Sequence, residues 1–193
     1  MSMKFLDSNH KYPGGEADFI AAARRIRLIS LDIDGVLTDG RIGYGCGADE
    51  EIKFFDVKDG QGIKYLTQLG VAVGIISGRK CAANRRRAGE LQLDFLREGC
   101  VDKLAALREV CAQHNCALDE AMHVGDDLID CECFMNCGIG VAVGDAIPEA
   151  LCYADCQTAA FGGRGAIREI TRWLIKSRGL LGRVLERYRL PPR

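Results

Sequence analysis

The chain has 193 residues, 48% of them hydrophobic, which is long enough for one domain with a sizeable core and short for two. Its 27 acidic and 26 basic residues nearly cancel, which argues against a protein dedicated to binding polyanions such as nucleic acid. No apolar run approaches the roughly 20 residues that cross a bilayer, and the N-terminal segment lacks the continuous apolar region of a secretory signal. We therefore expect a cytoplasmic protein without a membrane partner.

The ten cysteines are scattered along the chain and form no pair of CxxC units. A disulfide scaffold is denser in cysteine, above roughly 8% of residues. Cys131, Cys133 and Cys137 lie close together in sequence, but their spacing matches no common zinc pattern. Free cysteine among apolar residues behaves as a small buried hydrophobe, and this is the role that the sequence favours.

The N-terminal part of the chain predicts one strand with charged residues at its end. Residues 1–15 are expected to be loosely ordered, and a short helix is predicted over 16–25. The stretch LISLDIDGVLTDG, residues 28–40, begins with an apolar run short enough for a buried strand. Asp32 and Asp34 stand where this strand ends, and Gly35 follows. Carboxylates at the end of a buried strand need a metal, a base or a hydrogen-bond donor to offset their desolvation, so they are candidate site residues.

The rest of the chain alternates between predicted helices and predicted strands. A β-hairpin with strands over 41–46 and 50–55 should project over the end of the first strand. Helices are predicted over 60–69, 80–91, 101–114, 128–136, 147–151 and 164–178, and strands over 71–76, 94–96, 121–124, 139–143 and 154–156. This alternation predicts an α/β, Rossmann-like three-layer α/β/α fold with a mostly parallel sheet. The small hairpin, residues 41–55, stands in place of a cap domain, and a basic tail, 179–193, ends the single predicted domain.

In a mostly parallel sheet, ligands bind beyond the carboxyl ends of the strands. Asp32, Asp34, Ser77, Asp126 and Asp127 all fall at predicted strand ends. Aspartates gathered at one edge form a hard, oxygen-rich cation site that suits Mg²⁺. The sequence therefore predicts a magnesium site at this edge of the sheet.

These residues have the chemical groups that transfer of a phosphoryl group requires. Asp32 is a candidate nucleophile that forms an aspartyl-phosphate. Asp34, two residues further on, could protonate the leaving oxygen and later activate water. Ser77 can donate a hydroxyl, and Lys103 can supply a cation to the phosphoryl oxygens. A receiver-type signalling domain also phosphorylates an aspartate, but it has no use for an acid/base at position 34.

DIDGVLTDG, IISGR, Lys103 and VGDDLID resemble, in this order, the four motifs of the haloacid dehalogenase superfamily of phosphohydrolases. KFFDVKDGQGI, IISGRK, VGDDLID and GGRGAIREI resemble the small capless branch that contains the 3-deoxy-D-manno-octulosonate 8-phosphate phosphatases, over residues 26–176. The resemblance implies a magnesium-dependent phosphatase that converts this sugar-acid phosphate to 3-deoxy-D-manno-octulosonate and phosphate. It also implies a homotetramer in which each hairpin covers a neighbouring site.

The resemblance implies a role for each matching residue. Asp32 corresponds to the nucleophile and Asp34 to the general acid/base, while Ser77 and Lys103 hold phosphate. The magnesium ligands are Asp32, the backbone carbonyl of Asp34, and Asp126, with Asp127 beside them. The implied substrate contacts are Asp56, Val57, Lys58, Asp59, Gly60, Lys64, Arg79, Arg87 and Asp127. The cations among them suit a sugar acid that carries a carboxylate and a phosphate.

The chain departs from the branch at three of these positions. Asp56, Lys58 and Lys64 stand in the segments where the family has FNVRDG and GIR. Lysine does not replace a bidentate arginine directly. Two alternatives therefore stay open: a phosphatase for a nine-carbon sialic-acid-type 9-phosphate, and a non-catalytic domain related to acylneuraminate cytidylyltransferase. The loop 161–165 is either flexible or close to the site, and His123 is expected to be structural.

Overall fold

The computed structural model describes residues 3–6, 11–47 and 51–191. The strands are β1 Lys4–Phe5, β2 Leu28–Leu31, β3 Gly43–Tyr44, β4 Glu51–Ile52, β5 Ala72–Ser77, β6 Phe95–Glu98, β7 Ala121–Gly125, β8 Ile139–Ala142 and β9 Cys156–Gln157. The helices are α1 Glu16–Arg25, α2 Val57–Gln68, α3 Ala82–Leu91, α4 Lys103–Gln113, α5 Cys131–Asn136, α6 Pro148–Leu151, α7 Ala166–Ser177 and α8 Leu181–Arg187.

Seven strands form one sheet in the order β1-β9-β8-β7-β2-β5-β6, in which every pair is parallel except β1 with β9. β2 lies between β5 and β7 and is buried throughout, which explains its continuous apolar run. α1, α2 and α7 pack together, and α4 packs with α5 against a second cluster of buried side chains. The predicted α/β fold with a mostly parallel sheet is confirmed.

The hairpin is present but short. β3 and β4 pair antiparallel, with Gly43 opposite Ile52. Its strands are shorter than the predicted 41–46 and 50–55, and residues 48–50, which include most of the predicted turn, lie outside the described residues. None of the described helices is long and apolar enough to span a bilayer.

Helix α2 begins at Val57, three residues before its predicted start. The Asp56 carboxylate accepts a hydrogen bond from the Lys58 N–H at 2.6 Å and so caps the helix. Gly60 and Gly62 lie inside this helix. The space that a larger side chain would need is occupied by α3 beside Gly60 and by α7 beside Gly62. Close packing between α2 and these two helices is therefore what requires glycine at both positions.

The N-terminal segment is docked more closely than the expected loose ordering. β1 extends the sheet by pairing with β9, and the rings of Phe5 and Tyr12 both pack against Phe19. The Lys11 ammonium lies 2.7 Å from the buried carboxylate of Asp155. Burial of aromatic surface together with this ion pair holds the described part of residues 1–15 against the core.

Part of the basic tail is helical and contacts the body of its own chain. The Tyr188 ring, which directly follows α8, meets the Tyr65 ring edge-on at 5.8 Å. Its hydroxyl accepts a hydrogen bond from the Gln61 amide at 3.1 Å. The ten cysteines are all free thiols, and no cysteine of the described segments joins a metal-ligand cluster.

Candidate active site

The candidate site lies where β2, β5 and β7 end at the same edge of the sheet. In the ladder, Leu31 stands opposite both Ile75 and Val124. The Asp32 N–H donates to the Val124 carbonyl at 3.0 Å, which extends the β2–β7 ladder by one residue and fixes the backbone of Asp32. The strand geometry therefore places Asp32 and Asp126 together, as the sequence predicted.

The carboxylate of Asp32 is buried and paired with the buried ammonium of Lys103, at 3.0 Å between Oδ2 and Nζ. Lys103 is the first residue of α4, which the Asp102 carboxylate caps by accepting the Ala105 N–H at 2.8 Å. Burial raises the pKa of Asp32 in spite of this pairing. Burial opposes a charged Lys103, but its two neighbouring carboxylates raise its pKa above the usual value.

Asp130 is the second partner of Lys103, and the sequence analysis assigned it no role. Its Oδ1 accepts hydrogen bonds from Lys103 Nζ at 2.7 Å and from His123 Nε2 at 2.8 Å. Its Oδ2 lies 3.1 and 3.4 Å from the backbone nitrogens of Asp126 and Asp127. Burial opposes ionisation of Asp130, but the hydrogen bonds from His123 and Lys103 outweigh it and lower the pKa.

One carboxylate oxygen from each of Asp32, Asp126 and Asp130 lies within 4.8 Å of the other two. Both oxygens of Asp130 are already occupied by protein donors, so we assign it to orienting the site rather than to holding a cation. The spacing of VGDDLID is the signal that could have indicated it, since a carboxylate four residues after Asp126 can turn back to these N–H groups. His123 is structural, as expected, because its Nδ1 lies 2.6 Å from the Ser30 hydroxyl in the same buried network.

Asp126 is the carboxylate of this cluster that lacks a compensating donor among the described residues. Burial, followed by the nearby charges of Asp32 and Asp130, raises its pKa to about 7. Gly35 has a φ of 90°, and a Cβ added there would lie 2.1 Å from Asp126 Oδ2, so only glycine admits this close approach. The uncompensated charge and the oxygen donors of this cluster fit a hard divalent cation.

Asp34 is turned towards the hairpin side of the site. Its Oδ1 lies 2.6 Å from Nζ of Lys53, and its Oδ2 lies 3.7 Å from Nε of Arg79. The Arg79 guanidinium also forms an ion pair with Glu51. Lys53 was not among the residues predicted for the site, although it is the first residue of the segment KFFDVKDGQGI that resembles the family; it is buried, whereas its neighbours Ile52 and Phe54 are exposed.

Ser77 ends β5, the strand next to β2, and is buried. Its Oγ accepts the N–H of Arg79 at 3.3 Å, which holds the following turn. The Ser77 carbonyl accepts the N–H of Cys100 at 3.0 Å and thereby joins this turn to the loop before α4. Ser77 and Lys103 thus come from neighbouring segments of the same edge.

Most of the predicted substrate contacts gather at the N-terminus of α2. Val57 and Lys58 are exposed there, and Lys64 is exposed further along the helix. The Arg87 guanidinium donates to the Asp56 carbonyl at 3.2 Å and lies over the Phe55 ring at 5.2 Å. A Cβ on Gly60 would lie 2.5 Å from Arg87 Nη2. These contacts explain the closeness of α2 to α3 and leave the lysine ammonium groups open to solvent.

Two of the predicted substrate contacts, Asp59 and Asp127, hold neighbouring backbone N–H groups instead. The Asp59 carboxylate is buried and accepts the N–H groups of Gly165 at 3.2 Å and Arg168 at 2.7 Å, so it caps α7 and does not face a ligand. Burial raises the pKa of Asp59 to about 6. The Asp127 carboxylate caps the 3₁₀ turn Leu128–Asp130 by accepting the Leu128 N–H at 2.6 Å. Asp127 therefore lies beside the cluster without adding an oxygen to it.

The loop 161–165 packs directly on the turn that follows Asp34. The Gly163 N–H donates to the Val36 carbonyl at 2.9 Å, and a Cβ on Gly162 would lie 1.7 Å from the Gly35 carbonyl oxygen. The Arg164 guanidinium lies 3.2 Å from the Asp39 carboxylate. Of the two alternatives for this loop, the structure therefore supports a position next to the site.

Comparison with known proteins agrees with this geometry. Residues 91–161 match the haloacid dehalogenase-like hydrolases. Over 165 residues the chain is 41% identical to 3-deoxy-D-manno-octulosonate 8-phosphate phosphatase KdsC of Escherichia coli K12, which covers 86% of this chain and 87% of that protein. The chain belongs to the KdsC phosphatase family. The KdsC protein of Yersinia pestis is 42% identical over 153 residues, or 79% of this chain and 81% of that one.

Solved structures of the KdsC family share the fold. The Yersinia pestis phosphatase superimposes with a TM-score of 0.81 at 40% identity, covering 84% of this chain and 87% of that one. The Moraxella catarrhalis phosphatase superimposes with a TM-score of 0.84 at 32% identity, covering 89% and 98%. The latter structure was solved in complex with a magnesium ion, a phosphate ion and KDO.

Proposed function

We propose that this chain hydrolyses 3-deoxy-D-manno-octulosonate 8-phosphate to 3-deoxy-D-manno-octulosonate and inorganic phosphate. The observation that carries the proposal is the buried Asp32–Lys103 pair beside Asp126, in a chain 41% identical to KdsC phosphatases. Phosphate monoester hydrolysis needs rate accelerations of up to about 10²¹-fold, so a prearranged set of charges at the reacting atoms is expected. The two carboxylates of that set lie at the edge formed by β2, β5 and β7, and Lys103 reaches the same edge from the first residue of α4.

The magnesium site that we propose has the carboxylates of Asp32 and Asp126 and the backbone carbonyl of Asp34 as ligands. When bound, Mg²⁺ neutralises charge on the phosphoryl oxygens and allows an anionic nucleophile to approach them. The raised pKa of Asp126 supports the assignment, because a carboxylate that lacks a protein donor gains most from a cation. Magnesium and phosphate bound to the Moraxella catarrhalis relative support it as well.

Asp32 acts as the nucleophile. Lys103 contacts its Oδ2, so we assign the attack on phosphorus to Oδ1. The new bond joins Oδ1 to phosphorus while the bond between phosphorus and the sugar oxygen breaks. Water then attacks the aspartyl-phosphate and releases phosphate, which returns Asp32 to its carboxylate form. The Lys103 ammonium and the Ser77 hydroxyl hold the phosphoryl oxygens during both steps.

Asp34 acts as the general acid and base. Its carboxyl group donates a proton to the departing sugar oxygen, and the resulting carboxylate takes a proton from the attacking water. Its contacts with Lys53 and Arg79 turn it away from Lys103, so the two aspartates serve opposite sides of the phosphoryl group. This division of roles is the reason that two carboxylates are needed two residues apart.

The sugar-acid end of the substrate binds along the N-terminal part of α2. Lys58 is exposed there and Lys64 is exposed further along the helix, while Arg79 flanks Asp34 and Arg87 donates to the Asp56 carbonyl. Cations of this kind suit the carboxylate of an anionic sugar acid. Asp59 supports this surface indirectly, because its carboxylate accepts two N–H groups at the start of α7.

A homotetramer in which the hairpin covers a neighbouring site is part of the proposal. Tyr44, Ile52, Phe54 and Val57 expose large apolar side chains on and beside the hairpin, which supports burial of this surface by another copy of the chain. We also propose a cytoplasmic location. Ten free thiols support a reducing compartment, since thiols of this number persist where disulfides do not form.

The test is release of phosphate from the purified chain, with and without Mg²⁺. We expect Asp32→Asn to lower kcat by about 10⁴-fold or more, because the amide cannot attack phosphorus while its volume is nearly unchanged. Asp119→Asn is the matched control, since Asp119 is exposed and pairs with Arg25 before the start of β7. Turnover by Asp32→Asn at the rate of the control would refute the proposal. A comparison of kcat/KM for the eight-carbon 8-phosphate with that for a nine-carbon sialic-acid-type 9-phosphate tests the substrate.

A further inference from the structure

Lys53 is a buried lysine in an otherwise exposed part of the hairpin. Its neighbours Ile52 and Phe54 are 44% and 73% exposed, whereas the side chain of Lys53 has no exposed surface. Strand-like alternation after β4 turns Ile52 and Phe54 outward and Lys53 inward. The hairpin thus inserts one ammonium group into the molecule, directly beside Asp34.

The Lys53 ammonium is held between two oxygens. One is Asp34 Oδ1 at 2.6 Å, and the other is the side-chain oxygen of Asn84 at 3.0 Å. Asn84 is fully buried at the start of α3 and also accepts a hydrogen bond from the Cys81 thiol. Its amide nitrogen donates to Glu98 at 3.3 Å, so its donors and acceptors are matched on both sides. Asn84 therefore gives Lys53 a rigid support.

Packing alone does not account for an ammonium at this position. Moving a charged amine from water into a protein interior costs several kcal/mol even after relaxation, and a buried ion pair is weak evidence for stability. An apolar side chain of similar length would fill the same space without this cost. The feature that only the ammonium supplies is a positive charge held in close contact with the Asp34 carboxylate, at 2.6 Å between Nζ and Oδ1.

Arg79 is the other cation that faces Asp34, but it holds the carboxylate less firmly. Its Nε lies 3.7 Å from Asp34 Oδ2, its side chain is 48% exposed, and its guanidinium also pairs with Glu51. Lys53 has the shorter contact and a buried side chain. It is therefore the group that decides where the Asp34 carboxyl points.

We infer that Lys53 is a positioning residue, which holds the Asp34 carboxyl in the orientation from which its proton reaches the departing oxygen. The inference rests on the proposed function, because the orientation of Asp34 matters only if Asp34 is the general acid. It assigns the hairpin a task inside its own subunit, in addition to covering a neighbouring site. In this assignment Lys53 acts on the reaction through Asp34, the carboxylate that its ammonium contacts.

The test compares two substrates of nearly equal size with very different needs for a proton. Phenyl phosphate has a poor leaving group that requires protonation, whereas 4-nitrophenyl phosphate releases a far more acidic phenol. The quantity measured is kcat/KM, which includes every step up to departure of the leaving group. The variants are Lys53→Met, the conservative Lys53→Arg, and Asp34→Asn. Lys176→Met, at the exposed C-terminal end of α7, is the matched control.

We expect Lys53→Met to lower kcat/KM for phenyl phosphate by about 10- to 100-fold, because loss of the positioning contact removes only part of the roughly 10²- to 10⁴-fold that general acid catalysis contributes. The loss for 4-nitrophenyl phosphate should stay below about threefold, and Lys53→Arg should recover part of the activity towards phenyl phosphate. The double variant Asp34→Asn with Lys53→Met should be no slower than Asp34→Asn alone, because Lys53 acts through Asp34. A general loss of folded protein would lower the apparent kcat/KM for both substrates equally, and thermal unfolding of each variant measures that loss separately.

Equal losses for the two substrates, or additive losses in the double variant, would overturn the role of Lys53. An unchanged ratio in Asp34→Asn itself would instead contradict the role of Asp34 in the proposed function. The two failures are therefore distinguishable. If Lys53→Met does not fold, Asn84→Leu removes the support of the ammonium and should shift the same ratio in the same direction.

Discussion

Two parts of the site differ in how far their charged groups are buried. One is the buried cluster of Asp32, Lys103 and Asp130, and the other is the exposed rim that Lys58 and Lys64 form on α2. In the cluster, side chains with almost no exposed surface contact one another at 2.7 to 3.0 Å, and their orientation is set by packing. On the rim, the Lys58 and Lys64 ammonium groups are exposed. The cluster is arranged before a ligand arrives, which suits attack on phosphorus. The rim can adapt to its ligand, which suits selection of a substrate.

The largest expected effect comes from removing one charge from the buried cluster. We expect Asp130→Asn to lower the free energy of unfolding by about 3–5 kcal/mol, because it leaves the buried Lys103 ammonium short of a partner. It should also lower kcat, since Lys103 then has only Asp32 to hold it. Chemical denaturation and phosphate release measure the two effects.

The control for Asp130→Asn is Asp102→Asn, at the cap of the helix that carries Lys103. Asparagine caps a helix about as well as aspartate, so this change should cost well under about 1 kcal/mol. Equal losses of unfolding free energy in the two variants would contradict the expectation that burial makes the cluster more sensitive to the loss of a charge.

A smaller effect is expected on the rim. Lys64→Ala should lower kcat/KM for the carboxylated sugar-acid phosphate by about five- to tenfold, because an exposed charge contact contributes about 1 kcal/mol. The loss for a neutral sugar phosphate such as glucose 6-phosphate should be less than about twofold. Lys176→Ala, an exposed lysine at the far end of α7, provides the baseline. Equal losses for both substrates would show that Lys64 does not contact the carboxylate.

A pH-dependent effect on stability, rather than on activity, should come from Asp59, which lies under the rim and supports α7. Its pKa is raised to about 6 by burial, so ionisation of Asp59 is less favourable in the folded chain than in the unfolded one. Its contribution to stability is therefore fully present below about pH 4 and is lost as the pH rises towards about 6.

Asp59→Asn tests this sign. The amide oxygen can still accept the N–H groups of Gly165 and Arg168, and it does not ionise. Wild-type stability measured relative to this variant should fall between pH 4 and 6 and stay level above that range. A rise in this relative stability over the same interval would mean that the hydrogen bonds from the two N–H groups lower the pKa of Asp59 more than burial raises it.

The sequence alone determined the chemistry of the site. Apolar runs, glycines and the order of the motifs placed Asp32, Ser77 and Asp126 at strand ends, and this follows from local periodicity together with the rule that parallel strands share one edge. Helix α1 was predicted with its observed bounds for the same reason. Local patterns determine where an element begins and ends, and therefore which residues reach the edge.

Only the tertiary structure decided which polar groups are partners. Asp130 meets Lys103 across 27 residues, and Asp59 meets the backbone of Arg168 across 109. Long-range packing of this kind also turned Asp59 away from the ligand side, buried Lys53 beside Asp34, and docked the N-terminal segment on the core. No local pattern encodes these contacts, because a buried charge is stabilised by whichever group the fold brings to it.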